Sequence, residues 1–276
     1  MSEQASRDDQ KRRIMGVFNR MAADYDTLRF VQVCAQRLLE LATPPAGARV
    51  LDVATGTGIV ALVAAEIVGP DGAVVGVDLA PEMLAQARQK LAAAGLTNVT
   101  FQQGDAERLD LPDQSFDAVL CASSLFFVPD MRAAVQEWRR VLAPGGYAAF
   151  SSFGSSFLQP LQSLWAARLE QYGVPPAALP TLRLADPAAC EQLLHEAGFA
   201  EVQVRSEQLG YYLSSKQRWA EICAGLEGMA LGQLSPAQRE QIEAEHLAEL
   251  DARSTAQGVW VDVAAHISVG RLSAAA

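Results

Sequence analysis

Residues 49–66 read RVLDVATGTGIVALVAAE, and this stretch decides the fold. Val50, Leu51 and Val53 form a short apolar run of the kind a buried parallel strand carries. Ala54, Thr55, Gly56, Thr57 and Gly58 then make a turn of small residues. From Ile59 the apolar spacing becomes helical, with Val60, Val63, Ala64 and Ile67 on one side. A strand, a tight turn and a helix leave free backbone N–H groups at the chain reversal. A ligand can approach the main chain there, and the helix N-terminus favours negative charge.

Working outward, Ala73 to Val77 (AVVGV) reads as a second strand and closes on Asp78. An acid at the tip of a second strand is placed to accept hydrogen bonds from ribose hydroxyls. The two strands therefore read as the nucleoside-binding half of a doubly wound α/β sheet. Two ligands compete for it. A nicotinamide dinucleotide fits because Gly56, Gly58 and Ala61 satisfy G-x-G-x-x-A. The other is S-adenosylmethionine (SAM).

The alternation continues. Pro81 to Ala94 reads as a helix, Val99 to Gln102 as a third strand, Phe116 to Cys121 as a fourth, Met131 to Leu142 as a helix and Tyr147 to Phe153 as a fifth strand, after a break at 143–146. It then stops. Ser155 to Gly173 reads as helical, Pro175 to Pro180 as a loop, Pro187 to Ala197 as a helix and Phe199 to Leu209 as a strand. Ser214 to Met229 and Pro236 to Asp251 are helical, and Gly258 to Arg271 suits a last strand. At the other end, residues 1–13 are charged and expected to fray. Ile14 to about Leu41 predicts two helices joined across Asp24-Tyr25-Asp26.

Composition narrows the function. The 276 residues allow one α/β domain with a cap or two small domains. A net charge of −10 argues against non-specific nucleic-acid binding, which needs phosphate neutralisation. Cys34, Cys121, Cys190 and Cys223 form no C-x-x-C pair, so the sequence makes no case for a metal or redox centre. No run approaches the roughly 18 apolar residues of a membrane span, and the polar N-terminus lacks a signal-peptide core. These features lead us to expect a cytoplasmic protein.

Five pieces in order, Val50-LDVATGTG58, Val75-GVDLA-PEML84, 103–130 (QGDAERLDLPDQSFDAVLCASSLFFVPD), Arg140-VLAPGGYAAF150 and Leu193-LHEAGF199, resemble a class I SAM-dependent methyltransferase. The likeness is greatest to the ubiquinone/menaquinone-biosynthesis group and covers roughly 15–271. It implies a Rossmann-like seven-stranded, mostly parallel sheet of order 3-2-1-4-5-7-6 with the last strand antiparallel, in a single domain over 1–271. Around it stand an N-terminal helical lid at 14–41 and cap insertions at about 154–184 and 210–257. The resemblance places Thr55, Gly56 and Gly58 beside the methionine portion of SAM, Asp78 on the ribose and Met83 on the adenine. Asp105 would accept from the adenine amino group with the Ala106 N–H beside the ring. Ser123 would lie near the methionine end, and Tyr25 would close over the cofactor. Ile59 departs from the group, which often carries an acid after the final glycine, and the segment after Tyr147 is less alike.

The implied reaction moves a methyl group to carbon, oxygen or nitrogen of a small, mainly apolar acceptor, with quinols and phenols favoured. Phe157, Leu161, Trp165, Tyr211 and Trp219 in the cap segments suit such a molecule better than a nucleic acid. No catalytic base is named. His195 falls on an outer helix, His246 in a charged helix that should be solvated, and His266 among apolar residues of the last strand. A short-chain-type dehydrogenase remains as an alternative because Tyr212 and Lys216 match its Tyr-x-x-x-Lys pair. A SAM-binding subunit without catalysis is another. Monomer and homodimer are both compatible with the chain.

Overall fold

A computed structural model describes residues 3–175 and 180–274, with side chains from Ala5 onward. The sheet forms where the hydrophobic alternation places it. Strands β1 (Arg49–Val53), β2 (Ala73–Asp78), β3 (Val99–Gln103), β4 (Phe116–Cys121), β5 (Leu142–Phe153), β6 (Glu201–Gln208) and β9 (Ala264–Arg271) make one seven-stranded sheet. Its order is β3-β2-β1-β4-β5-β9-β6, with β9 antiparallel to both neighbours. The implied order holds, because β9 is the seventh strand of this sheet. The extra strands β7 (Tyr211–Leu213) and β8 (Val259–Val261) pair only with each other.

The central strands are buried on both faces. Val50, Leu51, Ala118, Val119, Leu120, Ala148, Ala149 and Phe150 lose all contact with solvent. Helix α3 (Ile59–Val68) packs on β1 and β2, and α4 (Pro81–Ala94) on β2 and β3. From β1 the chain moves outward to β3, then returns to β4 and moves the other way. Right-handed crossovers therefore put α5 (Met131–Val141) on the face opposite α3 and α4. The crevice where the order reverses lies between the carboxyl ends of β1 and β4. Just past these strand ends stand two non-glycine residues in left-handed conformation, Ala54 at φ 55° and Ser123 at φ 52°. Such backbone is strained, and strain of this kind collects at functional sites.

Several expectations need correction. Residues 3–13 do not fray: one helix, α1, runs Glu3–Met21. The expected interruption is a 3₁₀ turn, Tyr25–Thr27, before α2 (Arg29–Leu41). Helix α6 starts at Leu161, six residues later than expected, because Ser155–Pro160 form turns. The expected last strand divides at Asp262, whose Oδ1 accepts from the Ala264 N–H and whose Oδ2 accepts from Gln208 Nε2. The break at 143–146 is real, although β5 begins before it. Leu142 pairs with Phe116 and Tyr147 with Ala118, so the residues between bulge outward. Most of the expected loop at Pro175–Pro180 lies outside the described residues. Helices α7 (Pro187–Glu196), α8 (Ser215–Ala224) and α9 (Pro236–Arg253) complete the chain, and Trp165, Leu169, Ile222, Leu234 and Ile242 form a small core of the cap's own.

Candidate active site

The glycine turn is fastened to β2 before any ligand is considered. The Thr55 N–H donates to the Val77 carbonyl at 3.0 Å, and the Gly56 N–H to Asp78 Oδ2 at 2.8 Å. Asp78 Oδ1 accepts from the Ala80 N–H at 2.8 Å. Burial raises the Asp78 carboxyl, while these backbone donors act to lower it. Each oxygen keeps a lone pair for a further donor. Behind the turn, Thr55 Oγ1 donates to the wholly buried Asp52 at 2.6 Å. Burial, partly offset by that bond, pushes the Asp52 carboxyl up to about 7.

Over this turn lies an open cleft. Gly56, Asp78, Met83, Asp105, Ala106 and Tyr25 all line it. Three of the sequence candidates do not. Thr55 faces Asp52 instead. Gly58, at φ +81°, packs under the turn, where an added Cβ would stand 2.9 Å from Phe101 Cζ. Ser123 is held by Ser151, whose Oγ accepts from the Ser123 N–H at 2.9 Å, and it is the next residue, Ser124, that enters the cleft.

Helix α1 forms the outer wall. Lys11 Nζ reaches Asp105 Oδ2 at 2.7 Å and Glu107 Oε2 at 2.6 Å. Burial works to lower the Lys11 ammonium, but its bonds to both carboxylates outweigh that and raise it. Arg7 pairs with Asp130 at 2.7 Å, and Phe18 stands edge-on to Phe127 with centroids 5.1 Å apart. Sequence reading missed Lys11 because its partners lie about a hundred residues away. Tyr25 covers Gly56, and burial beside Asp78 and Asp26 holds its hydroxyl protonated well above the usual range.

A second cavity adjoins the first and shares Phe18, Tyr25 and Phe127 with it. Ser123, Phe30, Phe126, Phe153 and Phe157 line it. Phe153 and Phe157 stack with centroids 3.8 Å apart. Of these, Phe157 was legible in the sequence as an aromatic of the cap segments. Trp165 is not here: it packs against Trp219 and His246 in the cap core.

None of the three histidines lines either cavity. His246 is buried, not solvated, and burial pushes it down to about 4. His266 is held by Ser206 Oγ at 2.8 Å and the Ala185 carbonyl at 3.0 Å. His195 contacts the Phe199 carbonyl at 3.2 Å on α7. The Tyr212 and Lys216 pair also stands apart from both cavities, and Tyr212 is exposed beside Trp260. Among the described residues no cluster could hold a metal ion.

The cleft suits one of the two nucleosides. Its charged lining residues are Lys11, Asp78 and Asp105, one cation against two acids, which favours a cationic sulfonium over a pyrophosphate. At the start of α3, Thr57 Oγ1 donates to Asp26 at 2.5 Å and Lys90 Nζ bonds both, at 2.6 Å to Asp26 and 3.0 Å to Thr57, so side chains of the protein itself occupy the groups beside that helix end.

Comparison with known proteins agrees. The family model described as a methyltransferase domain matches residues 50–146. The demethylmenaquinone methyltransferase of Geobacillus kaustophilus is 32% identical over 219 residues, covering 72% of this chain and 93% of that protein. The chain belongs to the SAM-dependent methyltransferase family. Its cofactor is S-adenosylmethionine, and within the family it resembles the ubiquinone/menaquinone-biosynthesis group. Aklanonic acid methyltransferase DauC of Streptomyces sp. (strain C5) is 36% identical over 144 residues, 51% of this chain and 66% of that one. The chain spans about half to two thirds of the length of the first curated relatives it matches. The solved structure of YcgJ from Bacillus subtilis shares the fold at a TM-score of 0.59 and 24% identity, over 88% of this chain and 99% of YcgJ.

Proposed function

We propose that this methyltransferase moves the sulfonium methyl group of SAM to carbon, oxygen or nitrogen of a small, mainly apolar acceptor, with a quinol- or phenol-like ring favoured. The observation that carries this reading is the wall of Phe18, Tyr25 and Phe127 common to the cofactor cleft and the aromatic cavity. A methyl donor in one chamber and an acceptor in the other would meet at that wall. SAM supplies its own leaving group, so in-line positioning of the two provides much of the rate. Asp78 would hold the ribose hydroxyls, Asp105 and the Ala106 N–H the adenine edge, and Met83 the ring face. Ser123 and Ser124 would flank the methionine end, and the stacked Phe153 and Phe157 would orient a flat acceptor. Tyr25, the turn after α1, and α1 itself would exclude water as a lid. The relatives' printed names, an aklanonic acid methyltransferase and a demethylmenaquinone methyltransferase, support a ring acceptor.

The test is isotope transfer from methyl-labelled SAM to a panel of phenols, quinols, amines and fatty acids, read by mass spectrometry. A labelled aromatic product supports the proposal. Binding of SAM with no labelled product in any class would favour a SAM-binding subunit without catalysis.

A further inference from the structure

The aromatic cavity has a polar end. Glu221 on α8 and Glu227 in the following 3₁₀ turn (Leu226–Gln233) both line it. Glu221 is 2% exposed, Arg218 beside it 1%, and the Glu227 side chain 9%. Arg218 Nη2 donates to Glu227 Oε2, and its Nη1 stands 3.5 Å from Glu221 Oε2 without hydrogen-bond geometry. Glu221 Oε1 is well provided, by the Tyr211 hydroxyl at 2.8 Å and the Arg29 N–H at 3.1 Å.

Two carboxylate oxygens are left over. Glu221 Oε2 and Glu227 Oε1 are buried and have no hydrogen-bond donor among the described residues. A buried acceptor without a donor is costly, and native proteins keep few of them. The charges do not balance either: one buried guanidinium faces two carboxylates. The Arg29 guanidinium, 4.7 Å over the Tyr211 ring, comes from an exposed residue where solvent and salt screen it. Burial pushes the Glu221 carboxyl above the usual range against the pull of Arg218 and Tyr211, as expected for an acid short of donors.

We propose that Glu221 and Glu227 are the anchor for the methyl acceptor, which presents a hydrogen-bond donor to them: a phenolic or enolic hydroxyl, or an ammonium group, on an aromatic body. The phenylalanine wall takes the ring and the carboxylate pair takes the donor. An acceptor lacking a donor leaves both oxygens unpaired, and one bearing a carboxylate adds a third acid to the cluster. This anchor selects hydroxylated or amino aromatics and rejects ethers and fatty acids. It rests on the reading of this cavity as the acceptor chamber, and it adds which chemical groups the chamber accepts.

The experiment is calorimetric titration of the complex with S-adenosylhomocysteine, using 1-naphthol, 1-naphthylmethylamine, 1-methoxynaphthalene and 1-naphthoate as probes. The expected result is that naphthol or the amine binds at least tenfold more tightly than the ether, with naphthoate weakest. Glu227→Gln leaves Arg218 paired with Glu221, and Glu221→Gln leaves it paired with Glu227, so either variant keeps a balanced cluster. Each should cut the preference for the donor probe over the ether at least threefold, with unchanged affinity for S-adenosylhomocysteine. Equal binding of naphthol, amine and ether by the unaltered protein overturns the anchor and needs no variant. An undiminished preference in both variants overturns it as well. Failure of every aromatic probe to bind while S-adenosylhomocysteine binds overturns the acceptor chamber itself, and the anchor with it.

Discussion

At the scale of single residues, Asp78 fastens the glycine turn and is the proposed ribose ligand. Its carboxylate accepts from the Gly56 and Ala80 N–H groups while facing the cleft. Asp78→Ala should weaken SAM binding by roughly 1.5–3 kcal/mol, the size of hydrogen bonds to a charged group. It should also lower stability by about 1–3 kcal/mol, because two backbone donors lose their partner. Calorimetry and urea unfolding separate the two effects, and an unchanged SAM affinity would remove Asp78 from the site. Asp52 gives a pH signature. Its folded carboxyl is pushed up to about 7 by burial, whereas an unfolded aspartate titrates near 3.9. Between those values the native state holds a proton that the unfolded chain has released, so Asp52 makes stability fall as pH rises from about 4 to about 7. Asp52→Asn keeps an acceptor for Thr55 and should lose roughly 1–3 kcal/mol less stability between pH 5 and pH 8 than the unaltered protein. Parallel pH profiles in urea would contradict this. Asp78 was legible because an acid after an apolar strand has a local signature. Glu221 was not, because its partners Arg29 and Tyr211 are gathered only by the fold.

At the scale of elements, α1 is the least expected part of the chain. Apolar periodicity begins at Ile14, yet the helix begins at least eleven residues earlier. Those residues dock through charge, Arg7 on Asp130 and Lys11 on Asp105 and Glu107, and ion pairs leave no hydrophobic period to read. Lys11 holds one oxygen of the carboxylate proposed for the adenine, so an adenine amino group would compete with the Lys11 side chain for it. Lys11→Met should raise the SAM dissociation rate about fivefold, in keeping with the roughly 1 kcal/mol of a partly exposed pair. Stopped-flow fluorescence would measure it, and an unaltered rate would show that α1 does not gate the cleft. Hydrogen exchange over Ile14–Leu28 should slow when SAM binds; equally slow exchange with and without it would count against a lid. The interruption at Tyr25 was legible from Asp24 and Asp26. The division of the last strand was not, since Asp262 acts through Gln208, a long-range contact.

At the scale of the whole molecule, the sheet order followed from strand–helix alternation and a known family order. The cap did not. Its core of Trp165, Ile222 and Ile242 draws on three helices with no repeated pattern. The pair β7–β8 is two strands of three residues each, too short for a periodicity to register. Two cavities result, one walled by α1 and the other roofed by the cap, with Phe18, Tyr25 and Phe127 lining both. The most direct test is a crystal structure with S-adenosylhomocysteine and a phenolic ligand bound together. The account predicts the ribose on Asp78, the adenine between Met83 and Asp105, and the cofactor sulfur facing the phenol directly, with Tyr25 and Phe127 beside the line between them. A cofactor whose sulfur points away from the aromatic cavity, or a phenol bound elsewhere, would contradict it.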